Sequence, residues 1–242
     1  MKILFNFILV IVDFFYKKKI NQFLKKNIKN DIKILLDVGS HKGESILYFL
    51  RNFNINKIYS FEASKSNYLD LEKSLLKLRK KYKYAKIEIF NLGVGSSIEE
   101  KIFHDLSDSN SSTFREINQK SSYFKRKNKI LSFFFKKNFF IKDILVQQIT
   151  LDNFLEERKI DHIDFLKIDT EGYELEVLKG LGKKIQIVDT IYFEHHYDNM
   201  IKKNYKFSDI NDLLKKNSFY QVFKIKMPLR KSFDYIYKKK IV

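Results

Sequence analysis

Residues 34–45 read ILLDVGSHKGES, an apolar run that ends in an acid, two glycines and a helix start. No other stretch limits the fold of this chain as strongly. A short continuous apolar run closed by glycine suits a strand buried on both faces, and such strands belong to parallel sheets covered by helices. The glycines let the chain turn sharply into the next helix, whose first N–H groups are free to face a ligand.

The rhythm set there continues. KILLDV reads as a strand, ESILYFLRNF as a helix and KIYSFE as a second strand. Tyr68, Leu71, Leu75, Leu78 and Tyr82 then recur at steps of three and four, which gives a helix with one apolar face. AKIEIFNL is a third strand, and IDFLKID and VDTIYFEHH are two more on either side of a helix starting near Tyr173. Residues 100–148 break this order: SDSNSSTF is loop-like, and the Phe- and Lys-rich stretch after it suits either a helix or irregular cover. A helix near Ile210 to Lys216 precedes FYQVFKI and FDYIYKK, a hairpin turning at Met227 and Pro228. The fold class expected is α/β, a Rossmann-like, mostly parallel sheet flanked by helices with a C-terminal antiparallel hairpin. The expected division is a helical extension over 1–30 and one domain over 31–242, with 100–148 an insertion on the acceptor side.

Open parallel sheets bind ligands at the carboxyl ends of their strands. Asp37, Glu62, Asn91, Asp169 and Glu194 each fall at or just after such an end. A dinucleotide turn needs G-x-G-x-x-G, but here Gly39, Ser40, His41, Lys42 and Gly43 lack the middle glycine, and no phosphate-binding G-x-x-x-x-G-K-[ST] occurs. What remains is D-x-G-x-x-x-G followed by an acid, Glu62, at the next strand end. That carboxylate can accept from both hydroxyls of an unphosphorylated ribose. S-adenosyl-L-methionine fits, with its diol on Glu62 and its ammonium near Asp37.

Together these residues resemble the FkbM family of S-adenosylmethionine-dependent methyltransferases. The blocks that carry the resemblance are LLDVGSHKGES, IYSFEASKSNYLDLEK, IEIFNLGVGSS, SNSSTF, QQITLDNFLEERKIDHIDFLKIDTEGYELEVLKGL and IYFEHH, which cover most of residues 33–197. The resemblance implies a class I methyltransferase fold and, for many members, O-methylation of a hydroxyl on a sugar or other natural-product scaffold. Glycan or lipid-linked acceptors of that kind suit polysaccharide biosynthesis. It also implies that Asp37, Gly39, Ser40, His41, Gly43, Glu62 and Ala63 hold the cofactor, with Asn91 and Leu92 beside the adenine. Asp169, also a cofactor contact, and Glu171 would sit at the mouth near the methyl donor, and SNSSTF would wall the acceptor side. One departure is His41, where the family often has Asn.

A hydroxyl acceptor needs its proton removed as the new bond forms, so a base is expected among Asp169, Glu171, Glu194, His195 and His196, with Asp169, Glu171 and His195 the leading candidates. Asp169, Glu171 and Glu194 could also converge on a hard cation, but nothing in their spacing fixes it, and no metal is assigned. The chain has no cysteine, which removes thiolate metal sites, disulfides and a cysteine nucleophile, and suits a reducing cytoplasm. It has one proline, Pro228, which argues against the proline-paired aromatic motif of enzymes that methylate the amino groups of bases.

The formal charge of +18 raises a nucleic-acid partner, but the lysine pairs are spread along a chain rich in Lys, Asn, Ile and Phe, a bias of composition more than a groove. RNA ribose methylation therefore stands as an alternative resting on charge alone, and a non-catalytic scaffold as a second. The opening MKILFNFILVIVDFFYKKK is apolar with a basic stop, broken by Asn6 and Asp13 and too short to span a bilayer. It is expected to lie on the domain or on the inner face of a membrane, with weak, salt-sensitive attachment through residues 1–19.

Overall fold

The computed structural model describes residues 2–106, 111–135, 140–228 and 230–240. Its centre is a seven-stranded sheet. In chain order β1 (Asp31–Val38), β2 (Asn54–Phe61), β3 (Lys86–Phe90), β7 (Ile163–Ile168) and β8 (Val188–His196) are the parallel strands, and β9 (Phe219–Lys226) and β10 (Ser232–Lys239) form the hairpin. The spatial order is β3-β2-β1-β7-β8-β10-β9, with β10 antiparallel to both neighbours. Met227 N donates to Ser232 O across the turn at 2.9 Å. The fold is the Rossmann-like class the sequence predicts, hairpin included.

Neighbouring residues on the central strands go to opposite faces, as the pleat demands. Leu35 packs with Ile58, Phe165 and Ile236 on one side of the sheet, and Leu36 with Tyr59, Leu166 and Ile191 on the other. Helices cover both faces. α2 (Glu44–Asn52) and α3 (Lys65–Lys81) bury Ile46, Phe49, Leu71 and Leu75 on the first, while α5 (Leu151–Glu157), α6 (Glu174–Lys179) and α7 (Phe207–Lys216) bury Phe154, Val177 and Ile210 on the second. Ser64 caps α3, its hydroxyl accepting from Asn67 N, one of the unpaired donors of the first turn.

Two regions go beyond the sequence reading. The stretch read as a break in the rhythm, with the residues just before it, builds a second sheet, β4 (Gly93–Val94), β5 (Glu99–Leu106) and β6 (Ile141–Ile149), in the order β4-β6-β5, with α4 (Ser122–Phe135) between β5 and β6. The first helix, α1 (Lys2–Asn27), buries Tyr16, Ile20 and Leu24 at four-residue steps against the same core as α2 and α3, and Phe23 stacks on Phe223 at 4.4 Å. Among the described residues no helix is long and apolar enough to cross a membrane.

Candidate active site

A cavity of about 660 Å³ opens at the carboxyl ends of β1, β2, β7 and β8. Its first wall is the turn after β1. Gly39 has φ +80°, and a Cβ there would lie 1.9 Å from the carbonyl oxygen of Asp169, so only glycine lets the ends of β1 and β7 come together. Ser40 is buried beneath the turn, its hydroxyl bonded to Ser60 and to the carbonyl of Phe61. Gly43, at φ +93°, caps α2 and makes room for Leu71 on α3. Its place is in the packing of the turn, outside the cavity lining.

The carboxylate of Glu62 ties two turns together. Oε2 accepts from His41 N at 2.8 Å and Oε1 from Ser64 N at 2.9 Å, and burial pushes its pKa up to about 7 against those bonds. Each oxygen keeps further acceptor capacity. Glu62, Ala63 and Leu92 line the cavity beside Gly39, Ser40 and His41.

Two more expected cofactor contacts are, like Gly43, outside the lining. Asn91 is outside the lining, and its amide donates to the carbonyls of Glu62 at 2.9 Å and Ala63 at 3.2 Å, so it holds the loop that presents Glu62. Asp37 is fully buried behind the wall, because it is the penultimate residue of a strand covered on both faces. Its Oδ2 accepts from Ser45, which does line the cavity; its Oδ1 has no hydrogen bond and faces Lys167 Nζ at 3.6 Å. Burial raises its pKa, and Lys167 and Ser45 oppose that.

Opposite Glu62 stands a cluster of charges. Lys167 Nζ is 3.1 Å from Asp169 Oδ2, and this partner holds the half-exposed Asp169 carboxyl below its ordinary range against the desolvation that would raise it. Lys167 was not singled out in the sequence, although it lies two residues before Asp169 and so on the same face. Glu171 takes a left-handed backbone (φ 49°), and its carbonyl accepts from Thr113 Oγ1 at 2.7 Å. His196 Nε2 lies 3.0 Å from Glu171 Oε2 and 3.2 Å from Glu194 Oε1, with Asp198 3.5 Å from Nδ1. Burial opposes charge on this imidazole, but Glu171 and Glu194 outweigh it and raise the pKa well above the usual value. Burial pushes Glu194 up to about 8, with His196 pulling it down. Asp169, Glu171 and Glu194 all line the cavity.

His195 does not join them. Adjacent strand residues point to opposite faces, so with Glu194 and His196 on the cavity side the His195 ring packs among Tyr197, Tyr205 and Phe207. Burial, then Lys203 and His196, lower its pKa to about 3, which keeps it neutral. The expectation of a base at His195 is corrected by this placement. Of SNSSTF, Ser112 and Phe114 line the cavity, and Ser109 and Asn110 lie outside the described residues. A group with metal-ligand spacing, His162, Asp164 and Asp189, sits at the amino ends of β7 and β8, the other edge of the sheet.

The remaining wall comes from the two ends of the chain. Tyr16 on α1 and Tyr192 on β8 both donate to Asp234 Oδ2 on β10, the second at 2.8 Å, and Asp13, Lys17 and Arg230 line the cavity nearby.

With this geometry in place, residues 37–220 match the methyltransferase FkbM domain. The chain belongs to the FkbM methyltransferase family. The solved structure of Methyltransferase FkbM from Methylobacillus flagellatus KT superposes with a TM-score of 0.52 at 15% identity, covering 88% of this chain and 45% of that one, so this FkbM-family chain spans less than half the length of that protein. Magnesium protoporphyrin IX methyltransferase from Synechocystis PCC 6803, solved with bound SAM, gives 0.51 at 9% identity over 92% of this chain and 77% of its own. At such identities the likeness is one of fold. No protein of curated function matches the chain.

Proposed function

We propose that this FkbM-family protein is an S-adenosylmethionine-dependent O-methyltransferase acting on a hydroxyl of a sugar or of a glycan or lipid-linked intermediate. The observation that carries the reading is the pairing, across one cavity, of Glu62 at the end of β2 with Asp169, Glu171 and Glu194 at the ends of β7 and β8. The cofactor fits the residues present. The volume lies within the roughly 300–1,000 Å³ usual for small-molecule pockets, Glu62 keeps acceptor capacity for a ribose diol, and the turn at Gly39 leaves no phosphate cradle.

When bound, S-adenosylmethionine supplies an electrophilic methyl carbon on a sulfonium. The protein's part is alignment and proton removal. Glu62 orients the ribose. Asp169, held ionised by Lys167, anchors polar hydrogens near the methionine and the acceptor. Glu194 takes the acceptor proton: it is buried, and its pKa of about 8 makes it a stronger base near neutrality than an ordinary carboxylate. His196 holds Glu194 and Glu171 in place between them.

The same lining disfavours RNA. Seven acidic residues against four lysines and arginines line the cavity, so it offers no basic groove for a phosphodiester despite the overall positive charge. The test is calorimetric titration with S-adenosylhomocysteine, followed by labelled methyl transfer to sugar, lipid-linked and RNA acceptors. Cofactor affinity with transfer to the carbohydrate acceptors is expected. No affinity for the cofactor would favour the scaffold reading, and transfer to RNA alone would overturn the acceptor class.

A further inference from the structure

Helix α1 does two things at once. One seam, Tyr16, Ile20 and Leu24, is buried in the domain, and Asp13, Tyr16, Lys17 and Ile20 face the cavity. The same turns carry Phe14 and Phe15, which remain 61% and 56% exposed with their rings 5.6 Å apart. Two adjacent exposed phenylalanines are costly in water unless something covers them.

The charges beside them select the cover. Lys18, Lys19, Lys25 and Lys26 are exposed, and the one acid on the helix, Asp13, is neutralised by Lys17 at 2.8 Å. Apolar and basic residues are separated along the helix rather than around it: between Lys2 and Lys17 there is no basic residue, and residues 3–12 are apolar but for Asn6. Residues 2–16 make roughly 22 Å of helix at 1.5 Å per residue, short of the ~30 Å hydrocarbon core. A polyanion such as RNA would meet the lysines but leave the phenylalanines wet. A headgroup layer satisfies both.

We propose that the first half of α1 seats this protein on an anionic lipid surface, its apolar turns and the Phe14–Phe15 pair entering the headgroup boundary and Lys18 and Lys19 meeting lipid phosphates. Because Asp13, Tyr16 and Lys17 on those turns line the cavity, the seat adjoins the site. The attachment does not depend on the methyl-transfer reading.

The test is flotation of the full chain with vesicles of phosphatidylcholine alone and of phosphatidylcholine mixed equally with phosphatidylglycerol, over a salt series. The variants are the pairs Phe14→Ser with Phe15→Ser and Lys18→Gln with Lys19→Gln, none of which lines the cavity. Circular dichroism and S-adenosylhomocysteine affinity report that each is folded and that its site is intact. The wild type is expected to bind the anionic vesicles, less as salt rises. The lysine pair should weaken binding about thirty-fold, from about 1 kcal/mol per lysine near such a surface, and the phenylalanine pair should weaken it at every salt concentration. Equal binding to both vesicle types, binding untouched by either pair, or a solution dimer that the phenylalanine pair dissolves would overturn the proposal, the last in favour of a second copy as the cover.

Discussion

Tyr16 on the first helix donates its phenol proton to Asp234 on the last strand, 218 residues away in the chain. Both residues lie outside the matched span of 37–220. The matched span therefore supplies Glu62 and the carboxylates of β7 and β8, while residues on either side of it, Tyr16 and Asp234 among them, complete the cavity wall. Tyr192, inside the matched span, donates to the same Asp234 oxygen and joins the two parts.

Replacing Tyr16 by Phe should cost ~1.5–3 kcal/mol, the range for a hydrogen bond to a charged group. The loss should depend on pH. Burial pushes Asp234 up to about 6 while Tyr16 and Tyr192 pull it down. A carboxyl whose folded pKa is raised favours the fold below its unfolded value near 4, and that contribution is lost as pH rises through about 6. Above 6 the carboxylate is charged and most needs its donors. Urea denaturation of wild type and variant at pH 5 and pH 8 should show the larger difference at pH 8; equal differences would mean that the phenol serves packing alone.

Glu62 gives a second pH signature. Its pKa of about 7 means that the folded protein without cofactor holds a proton there which the unfolded chain has released, so its contribution to stability is full below about 4.5 and fades as pH rises through 7. The ionised form accepts from both ribose hydroxyls and the protonated form from fewer. Affinity for S-adenosylhomocysteine should therefore rise between pH 6 and pH 8, and Glu62→Gln should flatten that rise. Glu62→Ala should weaken binding by ~1–3 kcal/mol. Calorimetry across the pH range decides both, and unchanged affinity in the alanine variant would remove Glu62 from the site.

How far the sequence could be read follows from burial. β1, β2, β7 and β8 are covered on both faces over most of their length, so apolar residues dominate them and their ends, with Glu62, Asp169 and Glu194, can be located by eye. β5 and β6 form a small, half-exposed sheet in which Ile102 and Leu145 are 52% and 68% exposed and charged residues stand side by side, Glu99 to Lys101 and Lys142 with Asp143, so no period-two signal emerges. The error at His195 is one of facing. Strand periodicity separates it from Glu194 and His196, but which set meets the cavity depends on β8 lying between β7 and β10, with Glu194 opposite Asp234 and His195 opposite Phe233. No local pattern reports a neighbour so distant in sequence, and the Tyr16 to Asp234 bond is hidden for the same reason.

The base is the assignment that turnover can decide. Glu194→Gln keeps the shape of the side chain and removes its ability to take a proton, and it should lower turnover by about 10²–10⁴-fold, the usual worth of a positioned base. A base works only when ionised, so the activity of the wild type should rise with pH through about 8. The glutamine variant should lose that limb. Asp169→Asn breaks the pair with Lys167, which leaves Lys167 only its partner Asp37; turnover and cofactor affinity should both fall while the alkaline limb survives. His195→Ala empties a space among Tyr197, Tyr205 and Phe207 and should lower the melting temperature without moving the pH profile. A profile that flattens in Asp169→Asn and persists in Glu194→Gln would return the base to Asp169, and one that shifts in His195→Ala would require the imidazole to reach the cavity from a face it does not occupy here.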